Sequence, residues 1–190
     1  MRKHFSTIAA VFVSFSLMVS IAAAQGTPPT DPKKHTVLGK YVTSSEAYAM
    51  WKANPDATKI LDVRTPEEYA FVGHAPMAYN APSKIWTGKF SVANKDYLLD
   101  DTPQFEARVQ QLFSPNDTIL VMCRSGHRSA AAINRMAAIG FKNVYNIHDG
   151  FEGDKVADQS SPAFGKRMLN GWRNSSVPWT YDLDPKLVVE

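Results

Sequence analysis

The chain is almost without cysteine. Cys123 is the single thiol in 190 residues, which excludes a disulfide framework within the chain and any cysteine-cluster metal site. The histidines beyond the first segment, His35, His74, His127 and His148, lack spacing of the H-x3-H kind, so no metal is expected. Charge of one sign is also missing. The formal +3 comes partly from Arg2 and Lys3 at the extreme N-terminus, and the near-balance elsewhere excludes the basic footprint of a nucleic-acid binder. There is no internal repeat, and the ordinary mixture of apolar and charged residues is that of one globular domain.

What is present begins with a segment that does not belong to the fold. "MRKHF" supplies positive charge, "IAAVFVSFSLMV" an apolar core, and Ala22 and Ala24 the small residues of a cleavage site. Together they read as a secretory signal over residues 1–24, cut before Gln25, and predict a periplasmic or secreted protein with no membrane attachment after cleavage. An uncleaved anchor is the alternative, but the apolar core is short of the roughly 20 residues that a spanning helix needs. Export leads to an oxidising compartment, where a lone thiol is a free group, an intermolecular crosslink or a reactive centre; an inert buried cysteine is the bland alternative.

Residues 25–42, rich in proline and polar side chains, read as a flexible leader. "TSSEAYAMWKAN" opens with a capping box, Thr43 and Glu46, and predicts a helix from Ser44 to Ala53. "KILDV" predicts a buried strand, followed by a short helix with Thr65 as cap, Pro66 in the first turn and Glu68 as the acid of a second capping box. Phe105, Val109, Leu112 and Phe113 recur at helical spacing after a Thr-Pro start. "TILVM" is apolar on both alternating faces, as in a central parallel strand. "SAAAINRMAAI" is a helix closed by Gly140, and "NVYNI" is the next strand. This alternation predicts an α/β fold with a mainly parallel sheet of about five strands and helices on both faces. Residues 82–101 and 154–170 read as long irregular insertions in a domain spanning 43–183, with 184–190 as a tail.

Ligands of such sheets sit at the carboxyl ends of strands, where "TILVM" delivers Cys123. A helix starting just beyond presents free amides, and with Arg124 and Arg128 alongside it favours a thiolate nucleophile. Gly126 lets the loop curl, so that the amides from Arg124 to Ser129 can form a nest for an anion. The spacing also discriminates between chemistries. A phosphate-binding cysteine loop places its arginine in C-x5-R, but the sixth residue after Cys123 is Ser129, and Arg128 stands in C-x4-R.

"CRSGHRS" between an apolar strand and an alanine-rich helix closely resembles the active-site loop of single-domain rhodaneses, the sulfurtransferase family. "LDVRTPEEYAFVGHAPMAYNAP" resembles the family's upstream segment, and "HDGFEG" with "GWRNSSVPW" its closing segment, split here by residues 154–170. The sequence departs from that pattern at Ala75, Pro76 and Met77, and at Asp149, where the first glycine of a closing pair often stands.

The resemblance implies a rhodanese fold and transfer of sulfane sulfur through a Cys123 persulfide, without a cofactor. Thiosulfate or a similar small sulfur anion would be the donor, and a thiol, cyanide or protein the acceptor. Arg124, Ser125, Gly126, His127, Arg128 and Ser129 would bind the donor, with an arginine gripping its oxygens in bidentate fashion. Asp62 and Arg64 would support the site floor. His127 is either a proton donor or a surface residue. Trp86 and Trp172 either wall the pocket mouth or simply pack. The competing readings are a sulfur relay module serving a partner enzyme and, less favoured, a cysteine phosphatase or arsenate reductase.

Overall fold

A computed structural model describes residues 26–188. The segment read as a secretory signal lies outside the described residues. Five parallel strands form the central sheet: β1 (Tyr41–Val42), β2 (Thr58–Asp62), β3 (Ala78–Asn80), β6 (Thr118–Met122) and β7 (Val144–Ile147), in the order β1-β7-β6-β2-β3. A separate two-stranded hairpin, β4 (Lys84–Ser91) and β5 (Asp96–Asp101), stands apart from it.

The period of two in the central strands sorts their side chains between two cores. On one face Leu61, Ile119, Val121 and Val144 meet α3 (Phe105–Leu112) and α4 (His127–Ala138), through Phe105, Val109, Ile133 and Met136. On the other, Ile60, Leu120, Met122 and Ile147 pack with Ala47 of α1 (Ser44–Ala53) and Tyr69 of α2 (Pro66–Val72). The expected α/β architecture with helices on both faces is therefore the observed one. Both predicted capping boxes form, Thr43 with Glu46 and Thr65 with Glu68.

Cys123 follows β6 and continues the parity of Ile119 and Val121, so its side chain belongs to the α3/α4 face. Asp62 ends β2 beside Met122, in register. The buried pair Asp62–Arg64 and the thiol thus share one end of the sheet.

Two expectations, for residues 82–101 and for the leader, are corrected, and two further segments are tied to the domain. Residues 82–101 are not irregular: Trp86 lies opposite Leu99 and Phe90 opposite Tyr97, with a register shift around Gly88. Arg135 of α4 fastens the root of this hairpin through the carbonyls of Ser83 (3.3 Å) and Thr102 (3.0 Å). The leader is not loose where it is described. A short 3-10 turn, Pro32–Lys34, buries Lys34, whose ammonium meets Asp154 at 2.9 Å and whose carbonyl accepts from the Asn146 amide at 2.9 Å. Residues 154–170 lack regular elements, but the loop is closed by a bridge between Lys155 and Arg167 and tied at its ends by Asn170 to Asp154. The tail takes part as well, since Leu187 accepts from the Asn80 amide at 2.7 Å along the edge of β3.

Candidate active site

The loop from Cys123 to Gly126 is shaped by a second loop lying across it. Phe151 donates to the Cys123 carbonyl at 2.7 Å, while Glu152 and Gly153 donate to that of Arg124 at 2.9 and 3.3 Å. With those carbonyls held outward, the chain turns inward at Gly126, whose φ of 95° suits a residue without a side chain. Its amide donates to Cys123 Sγ at 3.2 Å and α4 begins at the next residue, so the thiol faces the positive end of that helix.

Ser129 reaches the same sulfur at 3.5 Å and also donates to Asn146 Oδ1 at 2.6 Å. A hydroxyl has one proton, so Ser129 serves Asn146 when Cys123 is a thiol and can swing it to a thiolate. Asn146 is fixed in turn by donating to the carbonyls of Lys34 and Gly126. Ser129→Ala is accordingly expected to slow alkylation of Cys123 by iodoacetamide about tenfold, the scale of one hydrogen bond of about 1.5 kcal/mol to a charged group. An unchanged rate would mean that the hydroxyl stays with Asn146.

The arginines take different parts. Both terminal nitrogens of Arg128 lie 2.6 Å from the Glu68 carboxylate. Burial pushes the Glu68 carboxyl up, but the hydrogen bonds and charge of Arg128 outweigh it and hold Glu68 below its ordinary value. Arg124 is exposed and makes no ion pair among the described residues. Arg167, from the loop at 154–170, donates to the Gly153 carbonyl at 2.6 Å and lies close enough to feel Arg124. Burial first, then that like charge, lower its pKa. A cavity of about 230 Å³ is bordered by Thr65 and Glu68 at the start of α2, by Arg124 and Arg128 of the cysteine loop, and on the hairpin side by Trp86 and Tyr97.

A cysteine at a parallel-strand end, curled against a helix N-terminus with C-x4-R spacing, is joined by a direct match: residues 43–157 fit the rhodanese-like domain. The chain belongs to the rhodanese family. An uncharacterized protein of Rickettsia prowazekii is 33% identical over 147 residues, covering 76% of this chain and 100% of its own. Thiosulfate sulfurtransferase 18 of Arabidopsis thaliana is 37% identical over 93 residues, 48% of this chain and 62% of that protein. Among solved structures, Rv0390 from M. tuberculosis superposes with a TM-score of 0.56 at 25% identity, covering 74% of this chain and 96% of that one.

Within this rhodanese domain the residues singled out in the sequence take different places. Cys123, Gly126 and Ser129 converge on the sulfur, with Ser125 buried in the same loop. Arg124 and Arg128 border the cavity, but the fork expected to grip donor oxygens is, for Arg128, already filled by Glu68. His127 turns away: its Nε2 meets Asp31 Oδ2 of the leader at 2.7 Å on the exposed side. Asp62 and Arg64 form a fully buried ion pair beneath the site at 2.6 Å, with Arg64 over the Phe151 ring. Trp172 is core, donating to the Pro178 carbonyl, whereas Trp86 borders the cavity. His74 stacks on Tyr69 and donates through Nδ1 to the Tyr69 carbonyl.

Glu68, Asn146 and Arg167 were not anticipated. Asn146 had a visible signal, being the one polar residue amid "VYNI" in a strand read as buried. Asp149, the departure from the family pattern, caps the start of α1 through the Ser44 amide and hydroxyl and accepts from Gly171, so it ties the closing segment to the first helix.

Proposed function

We propose that the protein is a sulfurtransferase that carries sulfane sulfur on Cys123. Membership of the rhodanese family and relatives named thiosulfate sulfurtransferases support this class of activity. The observation that carries the reading to this chain is the Gly126 amide directed at Cys123 Sγ from the start of α4. The thiolate attacks the outer sulfur of thiosulfate; the new Sγ–S bond forms as the donor S–S bond breaks, and sulfite leaves with the electron pair. The persulfide anion then occupies the position that the loop amide and the helix end stabilise. A thiol or cyanide attacks the outer sulfur and regenerates the Cys123 thiolate. Arg124, lacking an acid partner among the described residues, attracts the donor anion. Glu68 holds Arg128 away from the role that a phosphatase arginine must play.

The chain is proposed to act outside the cytoplasm after loss of residues 1–24. Among the described residues no helix is long and apolar enough to cross a membrane. A single cysteine suits persulfide chemistry, because no second thiol in the chain can displace the bound sulfur as a disulfide.

Treatment of the mature protein with thiosulfate is expected to add the mass of one sulfur atom, read by intact mass spectrometry, and Cys123→Ser is expected to take up none. Absence of the adduct on wild type with both thiosulfate and polysulfide would overturn the proposal. Loading without turnover to cyanide or a small thiol assigns the relay role instead.

A further inference from the structure

The cavity bordered by Arg124, the residue that follows Cys123, has a wall that no inorganic donor needs. Cross-strand partners share a face of a hairpin, and residues two apart on a strand do as well. Trp86, opposite Leu99, therefore lies on the same face as Leu99 and Tyr97, and all three border the cavity. The Trp86 and Tyr97 rings lie 5.0 Å apart at 55°, with Trp86 still 44% exposed. This wall is held in place from below, because Arg135 bonds the carbonyls of Ser83 and Thr102 at the hairpin root.

The charges around the cavity sort possible ligands further. Arg128 is neutralised by Glu68, and Asp96 adds a negative charge on the hairpin side, which leaves Arg124, among the described residues that border the cavity, as the cation free to meet an anion. Such a site suits one anionic head on an apolar body better than a small dianion.

We propose that the β4–β5 hairpin selects organic thiosulfonates with a flat apolar body over inorganic thiosulfate, with Trp86 as the specificity-determining side chain. The inference rests on the sulfurtransferase reading for its chemistry. The Cys123 thiolate takes the outer sulfur of the thiosulfonate; the Sγ–S bond forms, the donor S–S bond breaks, and an aryl sulfinate leaves with the electron pair. Charge balances, two negative charges standing on each side. The apolar body lies against Trp86 and Tyr97, and the sulfonyl oxygens face Arg124.

The test compares kcat/KM for 4-toluenethiosulfonate and thiosulfate, with cyanide as acceptor, in wild type, Trp86→Ala, Trp86→Phe and Val92→Ala. The aryl donor is expected to be preferred by wild type. Trp86→Ala is expected to lower the aryl-to-thiosulfate ratio about tenfold, the scale of one aromatic contact. Trp86→Phe restores most of it, and Val92→Ala, at the exposed hairpin turn, leaves the ratio unchanged. A preference for thiosulfate in wild type, or a ratio indifferent to Trp86→Ala, overturns the proposal. A second arm measures binding of 4-toluenesulfonate, which has no sulfur to transfer, by calorimetry. If neither donor loads Cys123 the sulfurtransferase reading fails, while a Kd raised about tenfold by Trp86→Ala still upholds the aromatic wall and an unchanged Kd overturns it.

Discussion

Asp62→Ala is expected to destabilise the protein by about 3–5 kcal/mol, a large part of the roughly 5–15 kcal/mol that a domain of this kind possesses. Asp62 and Arg64 are both 0% exposed, and the carboxylate accepts from the Arg64 backbone amide, Nε and Nη2 at 2.6 to 3.0 Å. Removing it leaves a guanidinium buried without its counter-charge, with Nη1 already lacking a partner. The loss should reach the active site through a short chain of contacts. Arg64 precedes the cap of α2, that helix carries Glu68, and Glu68 fixes Arg128. A urea titration followed by circular dichroism gives the stability change as a fall in midpoint at constant slope. The double variant Asp62→Leu/Arg64→Met, which removes both charges, should be more stable than Asp62→Ala alone. A single variant as stable as wild type would show that the pair supports nothing.

The second large effect is kinetic. Gly126→Ala is expected to slow persulfide formation at least about a hundredfold, as a misplacement on the ångström scale does to a reacting group. A Cβ at this position would stand 2.2 Å from the His148 carbonyl oxygen, so backbone must move. The segment that moves carries the amide on Cys123 Sγ and the carbonyl that accepts from Asn146. Gly140→Ala is the matched control: its φ of +100° imposes comparable backbone strain, but a Cβ there meets nothing within 4 Å. Loading by thiosulfate, timed by quenched mass spectrometry, should be slow in Gly126→Ala and close to wild type in Gly140→Ala. Equal rates in Gly126→Ala and wild type would separate the loop geometry from the chemistry.

The parts of the molecule that were readable from the sequence are those whose physics is local. Thr43 with Glu46 and Thr65 with Glu68 announce helix starts within four residues, and "TILVM" declares a strand covered on both sides. The hairpin was hidden because the register shift around Gly88 interrupts the alternation of "KIWTGKFS". The partnership of Glu68 with Arg128 spans 60 residues, and its carboxylate already had a sufficient explanation as a capping acid. Lys34 misled in another way. Lysine and proline suggested a solvated leader, yet the ammonium is neutralised by Asp154 from an insertion whose position no local pattern reveals.

That anchoring of Lys34 separates two boundaries that are usually drawn together. The rhodanese-like domain match covers residues 43–157, but Asn146, which holds the hydroxyl beside the sulfur, is itself held by a carbonyl at residue 34. The 3-10 turn around Trp172 and the edge contact at Leu187 lie beyond the other limit. The structural unit is thus wider than the matched segment. A polypeptide cut to residues 43–157 would keep the nucleophile, yet would lose from both ends the contacts that set its surroundings.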